Sequence, residues 1–128
     1  MKKQIMFVDD DPHLLAALQN VFHRDRKRWD VVFALGSSAA FEHLARTRFD
    51  VVISDMRMPG CDGVELLERV RAASPHTARV MLSGSADEAE VSRATAAVDV
   101  LLGKPCDTRT LRETIERLLG PPVPAPMV

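Results

Sequence analysis

Acids, a hydroxyl and a lysine recur in this chain at one kind of place, directly after a short apolar run. Asp9, Asp10 and Asp11 follow "QIMFV", Asp55 closes "FDVVISD", Ser83 and Gly84 end "ARVMLSG", and Lys104 and Pro105 follow "VDVLLG". Clustered carboxylates suit a hard divalent cation, of which Mg²⁺ is the common one. A cation beside them permits an anion to approach, and a lysine adds a second positive charge. The set therefore reads as a place to put a phosphoryl group onto a carboxylate. Asp55 is the best acceptor: it stands alone at its run's end, and the glycine-bearing "MPGCDG" after it could bend out of the way. Aspartate serves as a phosphoryl nucleophile in aspartyl-phosphate chemistry, which needs in-line geometry and charge neutralisation more than acid–base help. Asp9 and Asp10 would hold the metal, Lys104 would bind a phosphoryl oxygen, and Ser83 would hydrogen-bond another once the group has arrived.

These roles require that the residues meet, and the pattern of the chain says how. "QIMFV", "WDVVFAL", "FDVVIS", "ARVMLS" and "VDVLLG" are near-continuously apolar, as suits parallel strands covered on both faces. Between them lie helical stripes: Leu14, Leu15, Leu18, Val21 and Phe22; Phe41, Leu44 and Ala45; Val64, Leu67 and Val70; and Leu111, Ile115, Leu118 and Leu119. The stretch from Ala86 to Ala97 is the weakest, with Val91 its one large apolar side chain. Ser37 or Ser38 is placed to cap the second helix and Asp107 the last, which Gly120 and Pro121 end. Strand then helix, five times over, implies an α/β fold: a parallel sheet with helices on both faces. Such sheets bind ligands at the carboxyl ends of their strands, where all the residues above would gather.

Singly, each has a bland reading. An acidic triplet can cap a helix and offset its dipole, and a lone lysine or serine can be a surface or turn residue. Convergence on one edge is what favours a site. A dinucleotide or P-loop site is excluded, because it wants glycines and backbone N–H groups after strand one. Three acids stand there instead. At 128 residues, 46% apolar and 27% charged, the chain is one domain's worth. Its net charge of −1 supplies no bulk attraction to nucleic acid or membrane, and no apolar run approaches the roughly 20 residues of a membrane span. Cys61 and Cys106 have no metal-like spacing; free thiols in a reducing cytoplasm are expected, and one disulfide is conceivable. His13, His23, His43 and His76 are read as surface residues, the six methionines as gap-fillers, Trp29 as closing the first helix against strand two, and "HRDRKRW" as a solvated helix end.

The motifs "FVDDDP", "VVISDMRMPGCDG", "VMLSGSA" and "LLGKP", in that order, resemble the receiver domain of two-component response regulators. The resemblance spans Lys3 to about Leu119. It implies a flavodoxin-like, doubly wound sheet of five parallel strands in the order 2-1-3-4-5 with five flanking helices. It implies Asp55 as phosphoacceptor, Asp9, Asp10 and Asp55 as Mg²⁺ ligands with Asp10 the more direct of the acidic pair, and the Arg57 backbone carbonyl as a further ligand. Ser83 and Lys104 match the hydroxyl and the lysine, and the Lys104–Pro105 bond should be cis. The implied partners are a histidine kinase or histidine phosphotransfer domain, a C-terminal output domain and a second copy in a homodimer, in the cytoplasm, with no direct nucleic-acid contact and no membrane. The domain would assist its own phosphorylation and dephosphorylation without being an enzyme acting on others.

The chain departs from the pattern at Leu101, where many receivers carry a Tyr or Phe that swings inward on activation. There is no tyrosine at all. Switching through Ser83 and helix four is expected instead, and a receiver fold used as a phosphorylation-independent interaction module is the alternative. An aspartyl phosphatase would want a second acid two residues after the first, where Arg57 stands. The Arg57 side chain is expected to overhang the site and obstruct the attacking water; the bland reading has it in solvent or paired with an acid such as Asp11. Residues 1–119 are read as the receiver and 120–128, "GPPVPAPMV" with its four prolines, as a semi-rigid tail or linker. Either the receiver stands alone or an output domain follows. The "KPCD" ending is similar to receivers joined to phosphodiesterase or related signalling domains.

Overall fold

The apolar runs become strands because nothing polar interrupts them and each is flanked by turn-forming residues. The computed structural model describes residues 2–84 and 87–120. The chain alternates strand and helix: β1 (Lys3–Asp9), α1 (Pro12–Phe22) closed by a single 3₁₀ turn (His23–Asp25), β2 (Trp29–Leu35), α2 (Gly36–Arg46), β3 (Val51–Asp55), α3 (Gly63–Ala73), β4 (Ala78–Ser83), α4 (Glu88–Ala97), β5 (Val100–Gly103) and α5 (Thr108–Leu119). The strands form one parallel sheet in the order β2-β1-β3-β4-β5, as the resemblance implied. The proline-rich stretch from 121 to 128 lies outside the described residues, as do Ser85 and Ala86.

Alternate strand residues feed two cores. Ile5, Phe7, Val51, Ile53, Val80 and Leu82 face α1 and α5 and join Leu15, Leu18, Phe22, Leu111 and Ile115. Met6, Val8, Val52 and Met81 face the other way and join Ala40, Val64, Leu67, Val70, Ala94 and Ala97 from α2, α3 and α4. Fully burying a large apolar side chain contributes about 1.5–3 kcal/mol, so both faces are strongly held. The exception is α4, whose buried residues are two alanines, Ala94 and Ala97. No large apolar side chain of α4 is fully buried against the sheet.

Local signals decide the boundaries. Asp11, Asp62, Asp87 and Asp107 cap α1, α3, α4 and α5, each accepting hydrogen bonds from first-turn N–H groups. At α2 the expectation of a serine cap fails. The chain turns straight from β2 into the helix at Gly36, φ +83°, no side chain caps it, and Ser37 is buried inside the first turn. With no linker residue between strand and helix, there is no position for a capping hydroxyl. Trp29 is buried and its ring lies 6.2 Å from that of Phe22, so it does close α1 against β2.

"HRDRKRW" is a solvated end only in part. Asp25 is 5% exposed and accepts from Arg28 at 2.8 Å and from Arg112 of α5 at 3.0 Å. That knot ties α1 to α5.

Candidate functional site

Strand register brings the candidate residues to one edge. Val8 pairs with Ser54, so the next residues, Asp9 and Asp55, emerge side by side. Asp55 pairs with Leu82, one short of Ser83, and Ser83 pairs with Gly103, one short of Lys104. A backbone hydrogen bond from Lys104 N to Ser83 O at 2.8 Å extends that last pairing past the strand, and the Lys104–Pro105 bond is cis.

Asp9, Asp10 and Asp55 each offer a carboxylate oxygen, all within 4.8 Å of one another. Lys104 Nζ lies 2.9 Å from Asp55 Oδ1 and 3.7 Å from Asp9 Oδ2. Asp9 is 4% exposed. Burial pushes its carboxyl above the ordinary carboxylate value; the N–H of Asp11 pulls it down and the neighbouring Asp55 pushes it further up. Lys104 is held above the ordinary lysine value: burial works against its charge, but the hydrogen bond and charge of Asp55, aided by Asp9 and Asp10, outweigh it. Three acids against one ammonium leave an excess of two negative charges. All donors are hard oxygens, so the set fits a cation such as Mg²⁺. Asp11 is not among these donors, because its carboxylate caps α1 through His13 N and Leu14 N.

A hollow of about 430 Å³ opens over this edge, lined by Asp55, Met56, Arg57, Ser83, Gly84 and Lys104. Another of about 410 Å³, between α2 and α3, is lined by apolar residues and by Arg46, Arg48 and Arg69, without a carboxylate. It brings no metal donor.

The loop after Asp55 is not the loose hinge its glycines suggest. Gly60, at φ +85°, makes the turn that Pro59 begins. Gly63 opens α3 packed directly against the backbone of Asp55: a Cβ there would run into the Asp55 carbonyl oxygen, and Gly63 N donates to Met56 O at 2.8 Å. The Asp55 backbone is thus braced by the helix that follows it. Ser83 is 6% exposed, and its hydroxyl donates to Met56 Sδ at 3.2 Å. Nothing in the sequence marks Met56 as its neighbour; the contact depends on how the loop folds back toward β4.

The Arg57 side chain does not overhang the carboxylates. It is 73% exposed and turned to α4, with Nη2 at 2.7 and 2.6 Å from Oε1 and Oε2 of Glu90. It lies in solvent and pairs with an acid, as the bland reading had it, but the acid is Glu90 rather than Asp11. The acid stands 33 positions along the chain, where spacing alone offers no signal. A second pair crosses the same gap the other way, Arg93 of α4 to Asp62 at 3.1 Å.

A sequence model of the response regulator receiver domain matches residues 5–116. The chain belongs to that family. Among curated receiver-bearing proteins it is 33% identical to the response regulator protein FleR of Pseudomonas aeruginosa, over 91% of this chain and 24% of the relative. It is 26% identical to sporulation initiation phosphotransferase F of Bacillus subtilis, over 93% of this chain and 95% of the relative. Among solved receivers, the signal receiver domain of an HD domain-containing protein from Pseudomonas fluorescens superposes with a TM-score of 0.85 at 28% identity, covering 93% of this chain and 95% of that one. The chain spans about a quarter of the length of FleR and of the similar PilR. No helix among the described residues of this receiver is long and apolar enough to cross a membrane.

Proposed function

We infer that this receiver takes a phosphoryl group onto Asp55 from a phosphohistidine on a histidine kinase or phosphotransfer domain, in the cytoplasm, and so signals to an output domain or partner. The observation that carries the reading is the placement of Lys104 between Asp55 and Asp9 amid an unbalanced acid cluster. That is a site short of positive charge and open to solvent through its hollow.

An Asp55 carboxylate oxygen attacks phosphorus. The bond from phosphorus to the imidazole nitrogen breaks, its electron pair staying on the imidazole, and an acyl phosphate forms. Water later attacks that phosphorus and returns the carboxylate. Lys104 is placed to follow the charge as it moves from Asp55 onto the incoming group, and Ser83 to donate to a phosphoryl oxygen in exchange for its contact with Met56. Asp9 and Asp10, with Asp55 and the Arg57 carbonyl, would hold Mg²⁺, which when bound supplies charge neutralisation for the transferring group. The Asp10 carboxylate, exposed where Asp9 is buried, is the more direct ligand of the two.

Intact mass after incubation with acetyl phosphate and Mg²⁺ tests the reading. The wild type should gain one phosphoryl group and Asp55→Asn none. An unchanged wild-type mass, or equal labelling of the variant, would overturn it. Leu101 is half-buried among the residues facing α2, α3 and α4, so the inward ring of other receivers has no counterpart here. An unlabelled wild type would favour the phosphorylation-independent interaction module.

A further inference from the structure

We propose that Glu90 parks the Arg57 guanidinium away from the phosphoacceptor site, and by doing so sets both Mg²⁺ affinity and the lifetime of the acyl phosphate. The proposal rests on Asp55 being the acceptor.

Arg57 has anionic groups on two sides: the acids opening α4, Glu90 with Asp87 near it, and the carboxylates of the site. Its residue lines the same hollow as Asp55, Ser83 and Lys104, beneath which lie three carboxylates and one ammonium. Its guanidinium instead sits on both oxygens of Glu90. Glu90 occupies the first turn of α4, and its backbone N–H donates to the cap, Asp87, at 3.0 Å. Three residues on, along the same side of the helix, Arg93 holds Asp62. Asp62 is itself fixed as the cap of α3 through Glu65 N at 2.8 Å. These two crossed pairs tie α4 to the loop after β3. They matter more here than elsewhere, because α4 buries only alanines.

Electrostatics gives the direction of each effect. Without the Glu90 charge, the guanidinium is drawn toward the site's excess of two negative charges. There it competes with a cation for the carboxylates. Once a phosphoryl group is present, it pairs with the added oxygens and hinders water. Glu90 is therefore a positioning residue that acts on the site through Arg57. Exposed ion pairs are weak, so each effect should be small, about two- to fivefold.

The test uses Glu90→Gln, which keeps a capping-box side chain at that turn. Glu88→Gln removes the same charge two positions earlier, on the same helix end, without touching Arg57. Mg²⁺ is titrated calorimetrically into the unphosphorylated protein, and decay of the phosphorylated mass is followed at fixed Mg²⁺. Glu90→Gln should bind Mg²⁺ about two- to fivefold more weakly and keep its phosphoryl group longer by a similar factor. Glu88→Gln should do neither, and adding Arg57→Ala to Glu90→Gln should abolish both effects. Equal behaviour of the two glutamate variants, or effects that persist without Arg57, would overturn the parking alone. A wild type that neither binds Mg²⁺ nor gains a phosphoryl group would overturn the parking and the phosphoacceptor reading together.

Discussion

Two charged clusters divide this molecule. Between α1 and α5, Asp25 and Glu116 meet Arg28 and Arg112: two acids, two guanidiniums. Asp25 Oδ1 accepts from Arg28 and Oδ2 from Arg112. Arg28 also reaches Glu116 at 2.9 Å, and Arg112 the carbonyl of Val21 at 3.0 Å. Each guanidinium lies over a ring, Arg28 over Trp29 at 3.9 Å and Arg112 over Phe22 at 5.0 Å. At the strand edge, Asp9, Asp10 and Asp55 share one cation among the described residues, Lys104. The first cluster is balanced and saturated, and a bound ion would have nothing to add. The second is short of two positive charges. Charge balance, more than burial, separates a strut from a site: Asp25 and Asp9 are equally buried, at 5% and 4% exposed, and are put to opposite uses.

The largest expected effect comes from unbalancing the strut. Asp25→Ala strands Arg112 in a buried position. Removing one partner of a buried pair costs about 3–5 kcal/mol, so urea denaturation should show a loss of that order. A loss under 1 kcal/mol would mean that the knot is decoration.

The matching change at the site should go the other way. Asp9→Asn removes a buried charge whose partner is already shared. In metal-free buffer it should raise stability by about 0.5–2 kcal/mol, the usual scale of a single stabilising substitution. The pH dependence follows from the raised Asp9 value. A carboxyl held above its unfolded value destabilises the fold while ionised. The advantage of Asp9→Asn should therefore be full at neutral pH, fade as pH falls through the raised folded value, and vanish below the ordinary carboxylate range. An advantage that grows on acidification would mean the sign is wrong.

Asp62 sharpens the comparison as a third, half-buried case. It caps α3 and pairs with Arg93. Burial works to raise its carboxyl, but the Glu65 N–H and Arg93 outweigh it and hold it below the ordinary value. Asp62→Ala should cost about 1 kcal/mol, mostly as a lost cap. That loss should be present above the ordinary carboxylate value and disappear as pH falls through the depressed one. Thermal melts of the two proteins across that range would show it.

The strands, the start of α5 at Asp107 and the carboxylate edge were legible because they depend on near neighbours. Apolar runs mark strands, an aspartate before a helical stripe marks a cap, and parallel topology carries every strand's carboxyl end to one side. From this alone Asp9, Asp10, Asp55, Ser83 and Lys104 could be brought together. The α2 start was missed because a zero-residue connection at Gly36 left no place for the serine cap.

What only the tertiary structure decided are the side-chain partnerships across elements. Asp25 finds Arg112 at a separation of 87 residues, Arg57 finds Glu90 at 33, and Ser83 finds Met56 at 27. Periodicity says which face of a helix is buried. It does not say how far that helix slides or rotates against its neighbour, and a hydrogen bond needs its donor and acceptor within a few tenths of an ångström of the right distance. That choice is made by packing two cores at once against a twisted sheet, and no stretch of the chain carries it alone.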